Sequence, residues 1–254
     1  MAAGVNSTGF YGQDLSAPTL LLLPGLDGSG TLFSDFVSEL PPTLAVVVAK
    51  YPTEQILSYL ELVPFVSEIV PSGIPFVLVA ESFSTPLAVK FAATRPQNLV
   101  GMVMCAGFVT NPAGNWTPLV RALTRRAMLR ITPPSWILQH FVMGNNPTPS
   151  LEARFRKAIG TADTGVMAAR LRAVLECDEK EDLGRTKTPL LYIQAERDRL
   201  VPRECGREIQ LIRPDTLLVS IPDAPHLVLQ REPRKCAEAI VRFIQEIDCQ
   251  RFSI

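Results

Sequence analysis

The sequence predicts an α/β fold in which a mostly parallel sheet carries helices on both faces and is interrupted by one inserted helical segment. Three observations predict this fold class. Short apolar runs alternate with helical patterns, a serine stands where one such run passes into a helix, and a long stretch without strand signals separates the fourth run from the fifth.

The composition is that of a globular protein with a sizeable core. The chain has 254 residues, 47% of them hydrophobic, and 25 basic residues balance 25 acidic ones. Phosphate binding needs a positive excess, so nucleic acid is not an expected partner. The N-terminal residues and the apolar runs predict neither a signal peptide nor a membrane span. Five scattered cysteines without C-x-x-C spacing favour the reducing cytoplasm and no metal site.

Six runs are predicted to be buried strands because each is short, continuous and apolar, as parallel strands covered on both faces are. They are residues 19–23, 44–50, 75–80, 99–105, 189–195 and 216–221. Helical patterns separate most of them, most clearly at residues 56–69, 85–94 and 234–247. This alternation predicts helices on both sides of the sheet.

The segment between the fourth and fifth runs has several helix signals and no convincing strand. Thr117 followed by Pro118 is typical of a helix start, and Gly160 is typical of a helix end. We therefore predict a core domain and an inserted helical cap. The core comprises residues 1–110 and 188–254, and the cap comprises residues 111–187.

Ser82 is the candidate nucleophile because it stands at the junction between the third apolar run, which ends at Ala80, and a helix. A tight turn between a strand and a helix lifts a serine hydroxyl clear of the sheet. Such a turn needs small residues two positions away on either side, and Ala80 and Ser84 meet that need. The alternative is that Ser82 only caps the helix.

A serine nucleophile needs a base, and the chain contains two histidines. His226 follows the last apolar run, on a loop at the carboxyl end of a strand, where a base could reach over the sheet. His140 lies in an apolar helical pattern within the cap, where a packed or lid-surface histidine is expected. We therefore predict that His226 is the base.

Asp198 is the candidate carboxylate that would orient this histidine, because it follows the fifth run by a few residues. No aspartate or glutamate occurs between residues 98 and 150, so the end of the fourth run cannot supply it. Glu196 is the alternative if Asp198 pairs with a neighbouring arginine instead.

Two backbone N–H groups are needed to stabilise an oxyanion, and we assign them to Leu26 and Phe83. Phe83 opens the helix after the serine, and Leu26 lies in the glycine-rich segment L-L-P-G-L-D-G-S-G. The alternative, a phosphate-binding loop, lacks the G-x-x-x-x-G-K-[ST] pattern and the acidic residue about 20 positions later. No cofactor is therefore predicted.

Taken together, the motifs L-L-P-G-L-D-G-S-G, A-E-S-F-S, E-R-D-R-L-V-P and D-A-P-H resemble the α/β-hydrolase superfamily, over residues 19–247. The order Ser82, Asp198, His226 is the order of that superfamily. Within it the chain is similar to the small capped carboxylesterases, including the pimeloyl-acyl-carrier-protein methyl esterase type. The chain departs at Pro24, where many members have histidine, and at both elbow glycines. A serine nucleophile sets it apart from haloalkane dehalogenases and epoxide hydrolases, which use aspartate.

The resemblance implies an α/β-hydrolase fold and a cytoplasmic serine esterase that cleaves esters of an apolar acyl group through an acyl-enzyme, without metal or cofactor. Acyl transfer to an alcohol by the same residues stays open, as does a non-catalytic protein that binds a ligand. Candidate pocket-lining residues in the cap are Trp116, Leu119, Leu123, Trp136, Phe141 and Met143.

The cap has an unbalanced charge, although the whole chain does not. Residues 113–172 include nine basic and two acidic side chains, a net charge of +7. Four of the basic residues recur at helical spacing on the first cap helix. They are Arg121, Arg125, Arg126 and Arg130. This ridge is either a solvated helix face or a docking surface for an acidic carrier, such as an acyl-carrier protein or a coenzyme A ester.

Overall fold

A computed structural model describes residues 17–123 and 133–251. Its sheet has six strands, all paired in parallel, in the order β2-β1-β3-β4-β5-β6. The strands are β1 (Thr19–Leu23), β2 (Val46–Val48), β3 (Phe76–Glu81), β4 (Leu99–Cys105), β5 (Leu190–Ala195) and β6 (Leu217–Ile221). All six predicted strands are present, so the predicted fold class is confirmed.

Eleven helices accompany the sheet in the described residues. They are α1 (Ser34–Ser38), α2 (Tyr59–Ile69), α3 (Ser84–Ala93), α4 (Thr117–Leu123), α5 (Ser135–Leu138), α6 (Pro149–Ile159), α7 (Thr164–Glu176), α8 (Lys180–Arg185), α9 (Arg203–Ile212), α10 (Val228–Arg231) and α11 (Pro233–Arg251). Short 3₁₀ turns occur at Thr31–Phe33 and Gly114–Trp116, and a π-helical turn at Gln139–Met143 follows α5.

Helix α2 begins later than the apolar pattern predicted. Ser58 and Glu61 form a reciprocal capping box, in which the Ser58 hydroxyl accepts the Glu61 N–H and the Glu61 carboxylate accepts the Ser58 N–H. The helix therefore starts at Tyr59, whereas the prediction began at Ile56.

Alternate side chains of the strands enter two separate cores, one on each face of the sheet. Leu21 and Leu78 pack with helices α2, α3 and α9, whereas Leu20 and Val77 pack with helices α1 and α11. This arrangement confirms the prediction of helices on both faces. It also aligns the carboxyl ends of the central strands at one edge of the sheet, where parallel α/β folds build their sites.

The expectation that every strand is covered on both faces is wrong for β6. Leu217 and Leu218 remain 44% and 40% exposed. Strand β6 pairs only with β5 and lies at the edge of the sheet, so part of it stays in contact with solvent. Its apolar run alone could not reveal this position.

Helices α4 to α8 lie between β4 and β5, in the segment predicted to be an inserted cap. Within the described part of this segment no strand occurs, and one isolated antiparallel bridge joins Thr110 to Asp178. Gly160 caps the end of α6 as predicted. The division into core and cap at residues 111–187 remains our proposal. None of the described helices is both long and apolar enough to cross a membrane.

Candidate active site

Ser82 occupies the sharp turn between β3, which ends at Glu81, and α3, which begins at Ser84. Its φ of +48° lies in the left-handed region, which costs energy for a residue with a side chain. The turn is held by hydrogen bonds on both sides. The Ser82 N–H donates to the Cys105 carbonyl of β4 at 3.0 Å, and the N–H and hydroxyl of Thr85 donate to the Ser82 carbonyl.

The structure brings Ser82, His226 and Asp198 together. His226 Nε2 lies 2.9 Å from Ser82 Oγ, and His226 Nδ1 lies 2.7 Å from Asp198 Oδ2. A carboxylate only accepts hydrogen bonds, so Nδ1 carries the proton and Nε2 accepts from the serine hydroxyl. Such a chain of contacts can deprotonate a serine as it attacks.

Asp198 is fixed by two further contacts. Its Oδ1 accepts the N–H groups of Leu200 at 2.8 Å and Val201 at 2.9 Å, in the loop after β5. The side chains of Asp198 and His226 are both buried. This leaves the second carboxylate oxygen to hold the imidazole.

Opposing effects act on the pKa of His226, and their net result raises it above its ordinary value near 6.5. Burial is the largest single effect and disfavours the imidazolium, but the charge and hydrogen bond of Asp198, together with the charge of Glu81, outweigh it. The environment therefore favours the protonated ring that forms during a proton transfer.

The two alternative residues lie elsewhere. His140 is exposed, and its Nδ1 lies 2.6 Å from Arg199 Nη1 on the cap side of the loop after β5. The Glu196 carboxylate lies 3.9 Å from Arg203, and the Glu196 carbonyl accepts from the same arginine. Neither residue contacts Ser82 or His226 among the described hydrogen bonds.

Leu26 and Phe83, the predicted oxyanion donors, both line a cavity that also contains Ser82 and His226. Neither backbone N–H has a hydrogen-bond acceptor among the described residues. Phe83 is also anchored through its own carbonyl, which accepts from the Tyr59 hydroxyl at 2.9 Å. Two backbone N–H groups without an acceptor, in residues that line one cavity with Ser82, are what the predicted oxyanion hole requires.

The cavity has a volume of about 280 Å³ and an almost entirely apolar lining. Helices α4, α6 and α7 contribute six of the lining residues. These are Val120, Phe155, Ile159, Leu171, Val174 and Leu175. Besides Ser82 and His226, the polar side chains in the lining are the carboxyl groups of Asp27 and Glu81.

Five of the six cap residues predicted to line this cavity are absent from its described lining. Trp116, Leu119, Trp136 and Phe141 are exposed, and Met143 is buried in a small cluster with Leu138 and Leu227. The Leu123 side chain lies outside the described residues, as do Arg125, Arg126 and Arg130. Successive residues on a helix point about 100° apart, so Val120 faces the cavity while the adjacent Leu119 faces solvent.

Sequence reasoning missed two buried charged residues beside the site. Glu81, directly before Ser82, lines the cavity, and burial raises its pKa to about 7, with the nearby Asp27 acting in the same direction. Its Oε1 has no hydrogen-bond partner among the described residues. Arg170 of α7 is 3% exposed and donates to backbone carbonyls of the glycine-rich loop. The only sequence signal for Glu81 was an acidic residue directly after an apolar run. No signal in the sequence marked Arg170.

Comparison with known proteins gives one family match that covers most of the chain. Residues 11–239 match the model described as "Alpha/beta hydrolase family". The chain is 24% identical over 245 residues to the biotin biosynthesis bifunctional protein BioHC of Cellvibrio japonicus, which covers 92% of this chain and 49% of that protein. It is 36% identical over 67 residues to the uncharacterized hydrolase YugF of Bacillus subtilis, 26% of this chain and 24% of that one. The chain thus spans half the length, or less, of these curated relatives.

Solved structures share the fold over nearly the whole chain. A hydrolase from Oleispira antarctica superposes with a TM-score of 0.77 at 16% identity, covering 90% of this chain and 91% of that one. MenH from S. aureus gives 0.75 at 13% identity, with 91% and 94% coverage. A thermophilic esterase from Thermogutta terrifontis gives 0.74 at 20% identity, with 91% and 90% coverage. At these identities the likeness extends to the fold alone.

Proposed function

The chain belongs to the alpha/beta hydrolase family, and we propose that it is a serine esterase that cleaves carboxylic esters of an apolar acyl group. One observation carries this proposal. Ser82 Oγ, His226 and Asp198 form a continuous line of hydrogen bonds, 2.9 Å and 2.7 Å long, at a strand-to-helix turn that opens into an apolar cavity.

In the proposed mechanism Ser82 Oγ attacks the ester carbonyl carbon while His226 Nε2 takes its proton. The oxyanion that forms accepts hydrogen bonds from the N–H groups of Leu26 and Phe83. Collapse of this intermediate breaks the bond to the alcohol oxygen, which leaves with the proton from His226. Water then attacks the acyl-serine with His226 as base, and the acid is released. Asp198 keeps the imidazole in the required tautomer throughout.

The lining of the cavity supports an uncharged, apolar acyl group. Aliphatic and aromatic side chains form nearly all of it, and the carboxyl groups of Asp27 and Glu81 would repel an anionic acyl chain. The described lining includes no arginine, lysine or protonated amine that could pair with a substrate carboxylate.

The test is a panel of acyl esters of graded chain length, combined with a fluorophosphonate probe that labels activated serines. We expect the wild type to be labelled and to hydrolyse the panel. Ser82→Ala should lose labelling and at least ~10³-fold of the rate. Ser38→Ala, at an exposed hydroxyl on α1, is the matched control and should behave like the wild type.

Full labelling of Ser82→Ala would assign the nucleophile elsewhere. A wild type that neither reacts with the probe nor turns over any ester would support the alternative of a non-catalytic binding protein. Product analysis with added alcohols separates hydrolysis from acyl transfer, which uses the same residues and differs only in the molecule that resolves the acyl-enzyme.

An acidic carrier that delivers the acyl group remains a proposal for the cap. Much of the cap's positive charge is paired or buried in the structure. Arg154 pairs with Asp35, Arg156 with Glu152, and Arg170 is buried. Of the first cap helix, Arg121 is exposed and lies 3.6 Å from Glu176. The contact with Glu176 offsets part of the charge of Arg121, and the other three arginines of the ridge lie outside the described residues.

Charge reversal of Arg121, Arg125 and Arg130 to glutamate tests this docking. A docking surface predicts a selective, salt-sensitive fall in kcat/KM on a carrier-linked acyl ester, with a neutral short-chain ester unaffected. An equal response of both substrates would exclude it. We also propose a cytoplasmic location, because Cys105, Cys177, Cys205 and Cys236 are buried as thiols, as in proteins of reducing compartments.

A further inference from the structure

We propose that Arg170 is a positioning residue that holds the oxyanion loop, residues 24–28, in the shape that turns the Leu26 N–H toward the substrate. This inference rests on the proposed function, in which Leu26 supplies one of the two oxyanion donors. Arg170 belongs to the cap helix α7, so it joins the predicted cap to the catalytic edge of the core.

Every carbonyl in the oxyanion loop has a hydrogen-bond donor. The Pro24 carbonyl accepts a hydrogen bond from the Ser84 hydroxyl, and the Gly25 carbonyl accepts one from the Gly28 N–H at 3.0 Å. The carbonyls of Leu26 and Asp27 both accept from Arg170 Nη1, at 2.9 Å each. The Gly28 carbonyl accepts from the Tyr51 N–H at 2.8 Å. One guanidinium nitrogen therefore fixes two consecutive peptide planes of the five.

These bonds decide where the Leu26 N–H points. In a trans peptide the N–H points opposite to the carbonyl of the same plane. The Gly25 carbonyl turns inward to Gly28, so the Leu26 N–H turns outward, and Leu26 lines the cavity beside Ser82. Arg170 fixes the two planes that follow, and Ser84 fixes the plane that precedes. The Gly25–Leu26 plane cannot rotate without breaking one of these bonds.

Arg170 is buried and makes several specific contacts. The side chain is 3% exposed, its Nη2 donates to the Pro52 carbonyl at 3.0 Å, and its guanidinium lies 5.7 Å from the Tyr51 ring centre and 5.9 Å from that of Phe83. No carboxylate of the described residues lies within salt-bridge distance of the guanidinium. Its positive charge is therefore stabilised by carbonyl oxygens and aromatic rings.

Gly28 makes room for this arrangement. Its φ is +71°, and a Cβ there would lie 2.5 Å from Arg170 Nη1. A guanidinium is planar and presents several donors in a fixed fork, whereas a lysine ammonium is a single point that cannot reach the same three carbonyls. The loop and the arginine are therefore matched in shape, and lysine is not an equivalent replacement.

The contact also links substrate recognition to catalysis. Leu171, Val174 and Leu175 of the same helix line the cavity in which the acyl group would bind. A displacement of α7 moves both the acyl-binding wall and the support of the oxyanion donor. Arg170 thus acts through Leu26 and does not touch the reacting atoms.

The test compares Arg170→Lys and Arg170→Met with Arg172→Met, a control at an exposed position on the same helix. We expect Arg170→Met to lower kcat on a short-chain ester by about 10- to 100-fold, below the ~10²- to 10³-fold loss for removal of an oxyanion donor. KM should change by less than about threefold. Affinity for a trifluoromethyl ketone, whose adduct with Ser82 carries an oxyanion, should fall in parallel with kcat. Binding of the product acid should stay unchanged.

Arg170→Lys keeps the charge and the long stem, so it decides the question if the methionine variant fails to fold. A lysine variant with wild-type kcat and ketone affinity would overturn the inference. Methylguanidinium should restore part of kcat to a folded Arg170→Ala variant, which loss of packing alone would not allow. If Ser82→Ala abolishes turnover while the Arg170 variants keep it, only this inference fails. If hydrolysis does not depend on Ser82, the proposed function fails first.

Discussion

Two walls of the same cavity are held together by different forces. The oxyanion loop is fixed by hydrogen bonds to each of its carbonyls, whereas helices α4, α6 and α7 present apolar side chains such as Val120 and Phe155. Hydrogen bonds are directional, and apolar packing is not. The loop wall can therefore hold a reaction geometry, while the cap wall can select a substrate by size. Changes at the catalytic edge should alter rate on every ester, and changes in the cap wall should alter preference among esters.

The largest effect is expected at the predicted base. His226→Ala should lower kcat/KM by about 10³-fold or more on every ester, since no other described group forms a hydrogen bond with Ser82 Oγ. The matched control is His140→Ala, at an exposed histidine, which should change activity less than twofold. Loss of activity in His140→Ala with retention in His226→Ala would reverse the assignment.

The next largest effect is expected at the carboxylate. Asp198→Asn should lower kcat by about 10²- to 10⁴-fold, because an amide can hold the imidazole in the wrong tautomer. The fold-loss of kcat should be the same for acetyl esters and for esters of longer acyl chains. Glu196→Gln keeps the contact of Asp198 with His226 and serves as the control. A larger loss in Glu196→Gln than in Asp198→Asn would favour the alternative acid.

A change in the cap wall should act differently. Phe155→Ala enlarges the cavity and should favour longer acyl chains. The ratio of kcat/KM for a longer acyl ester to kcat/KM for the acetyl ester should rise by about tenfold, which is the size of effect expected from one or two methylene contacts. The control is Leu119→Ala, at an exposed leucine on helix α4, which also contributes to the cavity lining through Val120. A uniform loss on all chain lengths in Phe155→Ala would show that the cap wall sets rate, and would end the distinction between the two walls.

The smallest effect on rate is expected at Glu81, and it appears in the pH profile. The Glu81 carboxylate helps to raise the pKa of His226. In Glu81→Gln the pKa of His226 should fall, so the acid limb of kcat/KM should move to lower pH. The exposed Glu54→Gln is the control. An acid limb that stays in place would show that Glu81 does not couple to the base.

The same variant has a stability signature with a defined sign. The folded pKa of Glu81, about 7, lies above its ordinary value of 4.5, so its ionisation opposes folding as the pH rises through that range. Relative to the wild type, Glu81→Gln should become more stable between about pH 5 and pH 8, measured as the difference in Tm. A constant difference across that range would contradict a buried, titrating carboxyl.

The features predicted from sequence are those that local patterns determine. Ser82, Asp198 and His226 each follow an apolar strand, and parallel strands bring their carboxyl ends to one edge, so the topology makes these residues neighbours. The catalytic roles assigned to them remain predictions. Cavity-lining residues depend on the rotation of each helix about its axis, which separates Val120 from Leu119 and cannot be read from composition. Arg170 was missed because arginine in a helix is most often a surface residue, and only the fold reveals carbonyls around it.

The distance along the chain between Ser82 and His226 has a consequence for folding. The two residues are separated by 144 positions, and the bond between them closes only after β5 and β6 have joined the sheet in parallel. Such long-range parallel pairing is slow, because most of the loop entropy is lost before the contacts form. Secondary structure should therefore recover early during refolding, and the ability to react with a fluorophosphonate should return only with the last kinetic phase, as a direct report that the whole sheet has closed.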